Sequence, residues 1–344
     1  MNFFNYLWYQ PRQRWWLWLL SPLSGIFRVL VFIRRKCYRT IKSDVPPVVV
    51  IGNLNVGGTG KTPALIALAR ILRAKGLNVG IISRGYKGSV KHSHTAIILD
   101  ETSTPDKVGD EPYLIYHETD APVAVHPKRI KALSALSRQF NLDVVLSDDG
   151  LQHYALPRTL EVVVLDAKRQ FGNGFCLPLG PLREPKSRLS LVDFILINQT
   201  KGPEATTSLG ELRLSSALKD KAFSFHLQPQ ALISLGKLHR IKPITYLKGL
   251  HCHAVAGIAD PERFFALLTQ LGAKIIPHAF PDHHQYELAD FNFKEKIPII
   301  MTQKDAVKCE HFQLLDAFAL EVCAELPSMF RDALLQKLRY NKPI

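Results

Sequence analysis

The segment Gly57-Gly58-Thr59-Gly60-Lys61-Thr62 has the residue types needed to hold a phosphate. In such a loop consecutive backbone N–H groups point inward at phosphate oxygens, the following helix adds its N-terminal dipole, and the lysine ammonium reaches the β/γ-phosphates. A hydroxyl after the lysine suits a magnesium ion. The spacing is that of a P-loop, G-x-x-x-x-G-K-[ST], except that Asn55 stands where the first glycine belongs. Asparagine enters left-handed backbone conformations more readily than most residues, and Gly57 and Gly58 add freedom beside it, so the loop is expected to survive the change. Asn55, Val56, Gly57, Gly58, Thr59, Gly60, Lys61 and Thr62 are therefore the expected nucleotide cradle. Lys61 is the catalytic cation and Thr62 faces the metal.

A metal at Thr62 needs an acid at the end of a neighbouring apolar strand, and LDVVLSDDGLQH supplies Asp148 and Asp149 there. Two adjacent carboxylates stay ionised together only beside a cation. An Asp-Asp-Gly turn without a ligand is the alternative reading of the same residues.

These groups require a scaffold, and the sequence describes one. After Pro46-Pro47, short β-branched runs begin at residues 48, 78, 96, 121, 142, 160 and 193, alternating with helical patterns such as Thr62 to Ala74 and Pro127 to Gln139. The alternation predicts an α/β fold of the P-loop NTPase type: a doubly wound, mostly parallel sheet with ligands at the carboxyl ends of its strands. From about residue 216 the strands become sparser, at 222, 253, 274, 297 and 317, which predicts a second, smaller α/β domain. The expected division is 1–44, 45–215 and 216–344, with the polar stretch TKGPEATTSLG at 200 as the linker zone.

Residues 1–44 differ in character. All four tryptophans lie at Trp8, Trp15, Trp16 and Trp18, interleaved with Arg12, Arg14, Arg28, Arg34, Arg35 and Lys36. Aromatic rings and cations together suit a membrane–water interface, so a membrane-associated helix is expected. The uncharged run is 13 residues and is interrupted by Ser21-Pro22 and Ser24-Gly25, which argues against a spanning helix. No signal-peptide pattern is present. An amphipathic helix packing its aromatic face on its own domain is the alternative.

Composition sets outer limits. The 344 residues, 47% hydrophobic, suffice for folded domains, and the five scattered cysteines suggest neither a zinc site nor a disulfide framework. A net charge of +14 points to an anionic partner. Nucleic acid is not the expected one, because aromatic and basic residues crowd into the first 40 positions. A GTPase switch would carry N-K-x-D, and the nearest string is ILINQTKG.

Several blocks converge on one family: GGTGKTP at 57, SRGYKG at 83, VGDEP at 108, DDGLQH at 148, FGNGFCLPLGPLREP at 171, FPDHHQY at 280 and TQKDAVK at 302. Their content and order closely resemble the tetraacyldisaccharide 4'-kinases of Gram-negative lipid A biosynthesis, over nearly the whole chain. The resemblance implies transfer of the ATP γ-phosphoryl, with Mg²⁺, to the 4'-hydroxyl of tetraacyldisaccharide 1-phosphate. It implies a peripheral or monotopic location on the cytoplasmic face of the bacterial inner membrane, and no protein partner is implied. Asp110 in VGDEP matches the family's base, although on its own it reads as a helix N-cap. His283 would pair with Asp110, with the adjacent His284 as the rival. Gln152, His153 and Arg183 are then expected on the nucleotide side, Glu111 beside the metal, and Arg84 and Tyr86 near phosphate. Gln303 stands where the family pattern has a glutamate. Asp305 and Lys308 match a block with no role derivable from sequence.

Overall fold

The structure, a computed structural model, describes residues 7–9, 15–38, 45–86, 88–89, 94–199, 214–235 and 240–340. The expected linker at 200–210 lies outside the described residues, as does Lys87 of the SRGYKG block. The strands are β1 (Val48–Gly52), β2 (Val79–Ser83), β3 (Ile97–Ile98), β4 (Val123–Val125), β5 (Val144–Ser147), β6 (Leu160–Asp166) and β7 (Phe194–Gln199). They continue as β8 (Ala222–Ser234), β9 (Ile241–Pro243), β10 (His251–Ala256), β11 (Lys274–Ala279), β12 (Ile299–Thr302) and β13 (Ala317–Glu325). The principal helices are α1 (Ser21–Cys37), α2 (Lys61–Ala74), α3 (Asp110–Thr119), α4 (Arg129–Gln139), α5 (Pro261–Gln270), α6 (Gln303–Cys309) and α7 (Ser328–Tyr340).

All the strands join one 13-stranded sheet in the order β11-β10-β12-β13-β8-β7-β6-β1-β5-β2-β4-β3, with β9 on the side of β8. Pairing is parallel except for β8 with β13, β8 with β9, and β3 with β4. The central strand β1, VVVIG, is buried along its whole length, as a β-branched strand covered on both faces must be. Val49 and Ile51 face one core with Leu65, Leu68 and Leu72 of α2, while Val48 and Val50 face another with Leu133 and Leu136 of α4.

Strand β8 belongs to both halves of the chain. Ala222–His226 pair in parallel with Ile195–Gln199 of β7, and His226–Ser234 pair antiparallel with β13. Helix α7 also crosses back, burying Phe330, Leu334 and Leu338 in the core that contains β1 and α2.

At the N-terminus a 3-10 turn, Trp15–Leu20, runs directly into α1. The expected interruptions do not interrupt. Pro22 sits in the first turn of α1, where its missing N–H costs nothing, and Ser24 Oγ donates to the Cys176 carbonyl at 2.9 Å. The result is a 23-residue helix, Trp15–Cys37, long and apolar enough to cross a membrane, so the length argument against spanning does not hold. One edge packs on the protein through Leu17 and Ser24; Trp15, Leu19, Ile26, Leu30 and Phe32 are exposed.

Candidate active site

Strand β1 delivers the chain to the phosphate loop, and Asn53 shapes the turn: its Nδ2 donates to the Gly57 carbonyl at 3.2 Å and to Thr59 Oγ1 at 3.4 Å. The left-handed positions are Gly57 (φ +106°) and Gly60 (φ +88°), not Asn55. Asn55 is tolerated in the loop for a reason other than a left-handed backbone. Asn55 forms an isolated antiparallel bridge with Leu182, and its amide donates to the Gln170 carbonyl at 2.7 Å and to Tyr9 Oη at 3.3 Å. It anchors the loop to the 170–183 segment. Gly60 is required for space as well, since a Cβ there would lie 2.6 Å from Asn198 Nδ2.

Val56, Gly57, Gly58, Thr59, Gly60, Lys61 and Thr62 line a cleft of about 2390 Å³ at the carboxyl ends of the strands. Lys61, the first residue of α2, places Nζ 3.6 Å from Asp149 Oδ1. Arg183 Nη1 donates to Asp149 Oδ2 at 2.9 Å. Gln152 and His153 also line the cleft, but the Gln152 amide is engaged by protein: Nε2 donates to Glu184 Oε1 at 2.8 Å, and Oε1 accepts from Arg183 at 3.4 Å. Gln152 thus steadies Arg183. Burial, with Arg129, Arg84 and Arg34 nearby, pushes the His153 imidazole down to about 3, so it stays neutral.

Asp148 follows β5 directly, is 2% exposed, and accepts a hydrogen bond from Ser83 Oγ at 3.0 Å. Its Oδ1 and that of Asp149 have no hydrogen-bond partner. Burial first, then the charges of Glu111 and Asp149, raise the Asp148 carboxyl to about 7. Burial also acts against Asp149, but Lys61 and Arg183 outweigh it and hold that carboxyl far below its ordinary value. A buried acid with an orphaned oxygen, beside an ionised neighbour in a cleft that Thr62 also lines, fits a divalent cation. Among the described residues no three His, Cys, Asp or Glu side chains form a metal cage. Magnesium does not require one, because it keeps waters and phosphate oxygens in its shell.

Asp110 is the first residue of α3 and makes no capping bond; the cap position is Gly109. Its Oδ2 lies 3.2 Å from His283 Nδ1. Burial would raise the Asp110 carboxyl, but the His283 hydrogen bond and Lys308 prevail and lower it. His284 points elsewhere, with Nε2 3.0 Å from Asp290 Oδ2. Tyr86 packs against His283 edge-on, ring centroids 5.3 Å apart, and Arg84 lines the cleft. Glu111 pairs with Lys304 at 3.1 Å; burial works against its ionisation, and Lys304 with Lys61 reverses that.

The TQKDAVK block has a structural explanation. Buried Asp305 accepts from the Gly257 N–H at 2.9 Å, Thr302 Oγ1 at 2.6 Å and Lys308 Nζ at 2.9 Å, pinning the loop after β10 to the start of α6. Gln303 donates to Glu118 Oε1 at 2.8 Å and accepts from the Val322 N–H at 3.1 Å, so its side chain is used in joining α3, α6 and β13.

Four contributors escaped the sequence reading: Asn53, Ser83, Lys304 and Arg129. The guanidinium of Arg129 is buried and Nη2 donates to the carbonyls of Asp148 and Asp149, both at 2.9 Å, which fixes the acidic turn. One signal was available for it. A cation opening a helix opposes the helix dipole and implies a compensating partner.

Known proteins resemble this chain over nearly its whole length. The sequence model of the family described as LpxK, tetraacyldisaccharide-1-P 4'-kinase, matches residues 16–339. A tetraacyldisaccharide 4'-kinase of Hahella chejuensis is 42% identical, covering 98% of this chain and 97% of its own, and one of Legionella pneumophila (strain Lens) is 39% identical, covering 97% of each. The crystal structure of LpxK from Aquifex aeolicus in complex with ATP is similar at a TM-score of 0.72 and 26% identity, covering 94% of this chain and 99% of that one.

Proposed function

The chain belongs to the tetraacyldisaccharide-1-P 4'-kinase family, an ATP-dependent phosphotransferase of lipid A biosynthesis acting at the 4' position of the precursor, and we propose how its residues divide that task. The acceptor is tetraacyldisaccharide 1-phosphate. ATP lies along the loop from Asn55 to Thr62 with its γ-phosphoryl beside Lys61. Mg²⁺, held by Thr62 with Asp148 and Asp149 and approached by Glu111, would neutralise charge on the β- and γ-phosphates.

The remaining work falls to side chains. Lys61 and Arg183 supply positive charge where it develops on the phosphoryl oxygens. Asp110 accepts the proton as the 4' O–H bond breaks and the O–P bond forms, with ADP leaving. His283 orients Asp110 from the other half of the chain, so closing the cleft assembles the site. The exposed aromatic and apolar face of α1, flanked by Arg28, Arg34, Arg35 and Lys36, lies in the cytoplasmic leaflet of the inner membrane and presents the cleft to its lipid.

One observation carries this reading: His283, paired with buried Asp110, lines the same cleft as the Lys61–Asp149–Arg183 cluster. The test is transfer of labelled γ-phosphate from Mg·ATP to tetraacyldisaccharide 1-phosphate in mixed micelles, comparing wild type with Lys61→Ala and Asp110→Asn. Both variants are expected to lose about 10²-fold or more. Full activity of Asp110→Asn would overturn the assignment of the base.

A further inference from the structure

We propose that Arg169 is a ligand for the phosphates of the nucleotide beyond the α-phosphate, and that Asp260, at the start of α5, orients its guanidinium over the phosphate loop at Gly57. The inference rests on the reading that ATP lies along the loop from Asn55 to Thr62.

One four-residue spacing occurs twice: Asp166-Ala167-Lys168-Arg169 after β6, and Asp260-Pro261-Glu262-Arg263 where α5 begins. The fold sets these segments together so that the acid of each meets the arginine of the other. Arg169 Nη2 donates to Asp260 Oδ2 at 2.9 Å, and Arg263 Nη1 donates to Asp166 Oδ2 at 2.6 Å. Asp166 is 2% exposed, and its Oδ1 accepts from the backbone N–H groups of Lys168 at 3.0 Å and Arg169 at 2.9 Å. One carboxylate thus fixes both the turn that carries Arg169 and the helix that faces it. Helix α5 is itself anchored, with Phe264, Phe265 and Leu268 buried in one core with Cys252, Ala254 and Ala256 of β10.

This frame holds the guanidinium at the phosphate loop. A Cβ on Gly57 would lie 3.2 Å from Arg169 Nη1, and Gly57, Arg169 and Asp260 line the same cleft. With Nη2 given to Asp260, Nη1 faces the loop and makes no hydrogen bond among the described residues. The Tyr9 ring supports the guanidinium, its centroid 5.6 Å from Cζ. A planar fork can serve a carboxylate with one nitrogen and a phosphate oxygen with another, which an ammonium on a flexible stem cannot do in a fixed geometry. Gly57 precedes Lys61 by four residues, on the approach to the loop rather than at the start of α2, so the contact is with the phosphates that Lys61 serves.

The test is nucleotide affinity by isothermal titration calorimetry on the full chain, with Mg·ATP and with AMP, which lacks the β- and γ-phosphates. Arg169→Met, Arg169→Lys, Asp260→Ala and the double variant Arg169→Met with Asp260→Ala are compared with wild type. Lys61→Ala is the reference, and the urea midpoint checks folding. Arg169→Met is expected to weaken ATP binding about tenfold or more and AMP binding less than about twofold. Asp260→Ala should weaken ATP binding about threefold, with no further loss when it is added to Arg169→Met, because it acts through the guanidinium. Arg169→Lys, which keeps the charge without the fork, should fall short of wild type. ATP affinity within about twofold of wild type in Arg169→Met, equal losses for ATP and AMP, or additive losses in the double variant would each overturn the proposal. Should Arg169→Met not fold, Asp260→Ala carries the test, and unchanged ATP affinity there is the refuting result. Normal ATP binding by Lys61→Ala would instead remove the loop reading beneath it.

Discussion

In metal-free protein, Asp148→Asn should increase stability while abolishing transfer, and the increase should grow with pH. Asp148 is 2% exposed, and its carboxyl is raised from 3.8 to about 7 by burial, Glu111 and Asp149. Between those two values the native state binds a proton that the unfolded chain has released. The stabilising contribution is therefore complete below the unfolded value and is lost as pH rises through the folded one. About three pH units at roughly 1.4 kcal/mol each give about 4 kcal/mol, of which about 3 kcal/mol lies above pH 5. Asparagine keeps the acceptor for Ser83 Oγ and removes the titration. Urea unfolding in EDTA at pH 5, 6, 7 and 8 should show the variant about 1 kcal/mol more stable than wild type at pH 5 and about 4 kcal/mol more stable at pH 8. Saturating Mg·ATP should close the gap, because it binds the native wild type. A stability difference that does not change with pH, or a variant less stable at pH 8, would refute the reasoning.

Two further outcomes follow from the same geometry. Gly60→Ala places a Cβ 2.6 Å from Asn198 Nδ2 at φ +88°, and should cost about 2 kcal/mol by urea unfolding and weaken ATP binding at least tenfold by equilibrium dialysis. Ile26→Asp with Leu30→Asp on the exposed face of α1 should reduce co-sedimentation with anionic vesicles at least tenfold and leave ATP binding intact. Unchanged sedimentation would remove α1 from the lipid contact.

The sheet and its phosphate loop were legible because each rests on local signals: β-branched runs of four to six residues, and glycines where the backbone must turn. The acidic pair was legible for the same reason, standing at a strand end. What was not legible depends on residues that meet only through the fold. Lys304 reaches His283 across an interface that no spacing encodes. The reason for Asn55 was misjudged because its partners, Gln170 and Leu182, lie more than 100 positions away. Pro22 and Gly25 were read as breaks from composition alone, whereas position within the first turn decides what a proline does.

The shared strand β8 has a practical consequence for handling the protein in pieces. Cutting the chain near residue 215 would strip β7 of its partner over Ile195–Gln199 and leave Ala222–His226 of β8 unpaired on the side that faced β7. Each fragment would present an open, apolar edge with unsatisfied N–H and C=O groups, a template for pairing with other chains. Neither fragment should be recoverable in soluble form alone. Mixed during refolding, the two should find each other, because each carries the edge that the other lacks.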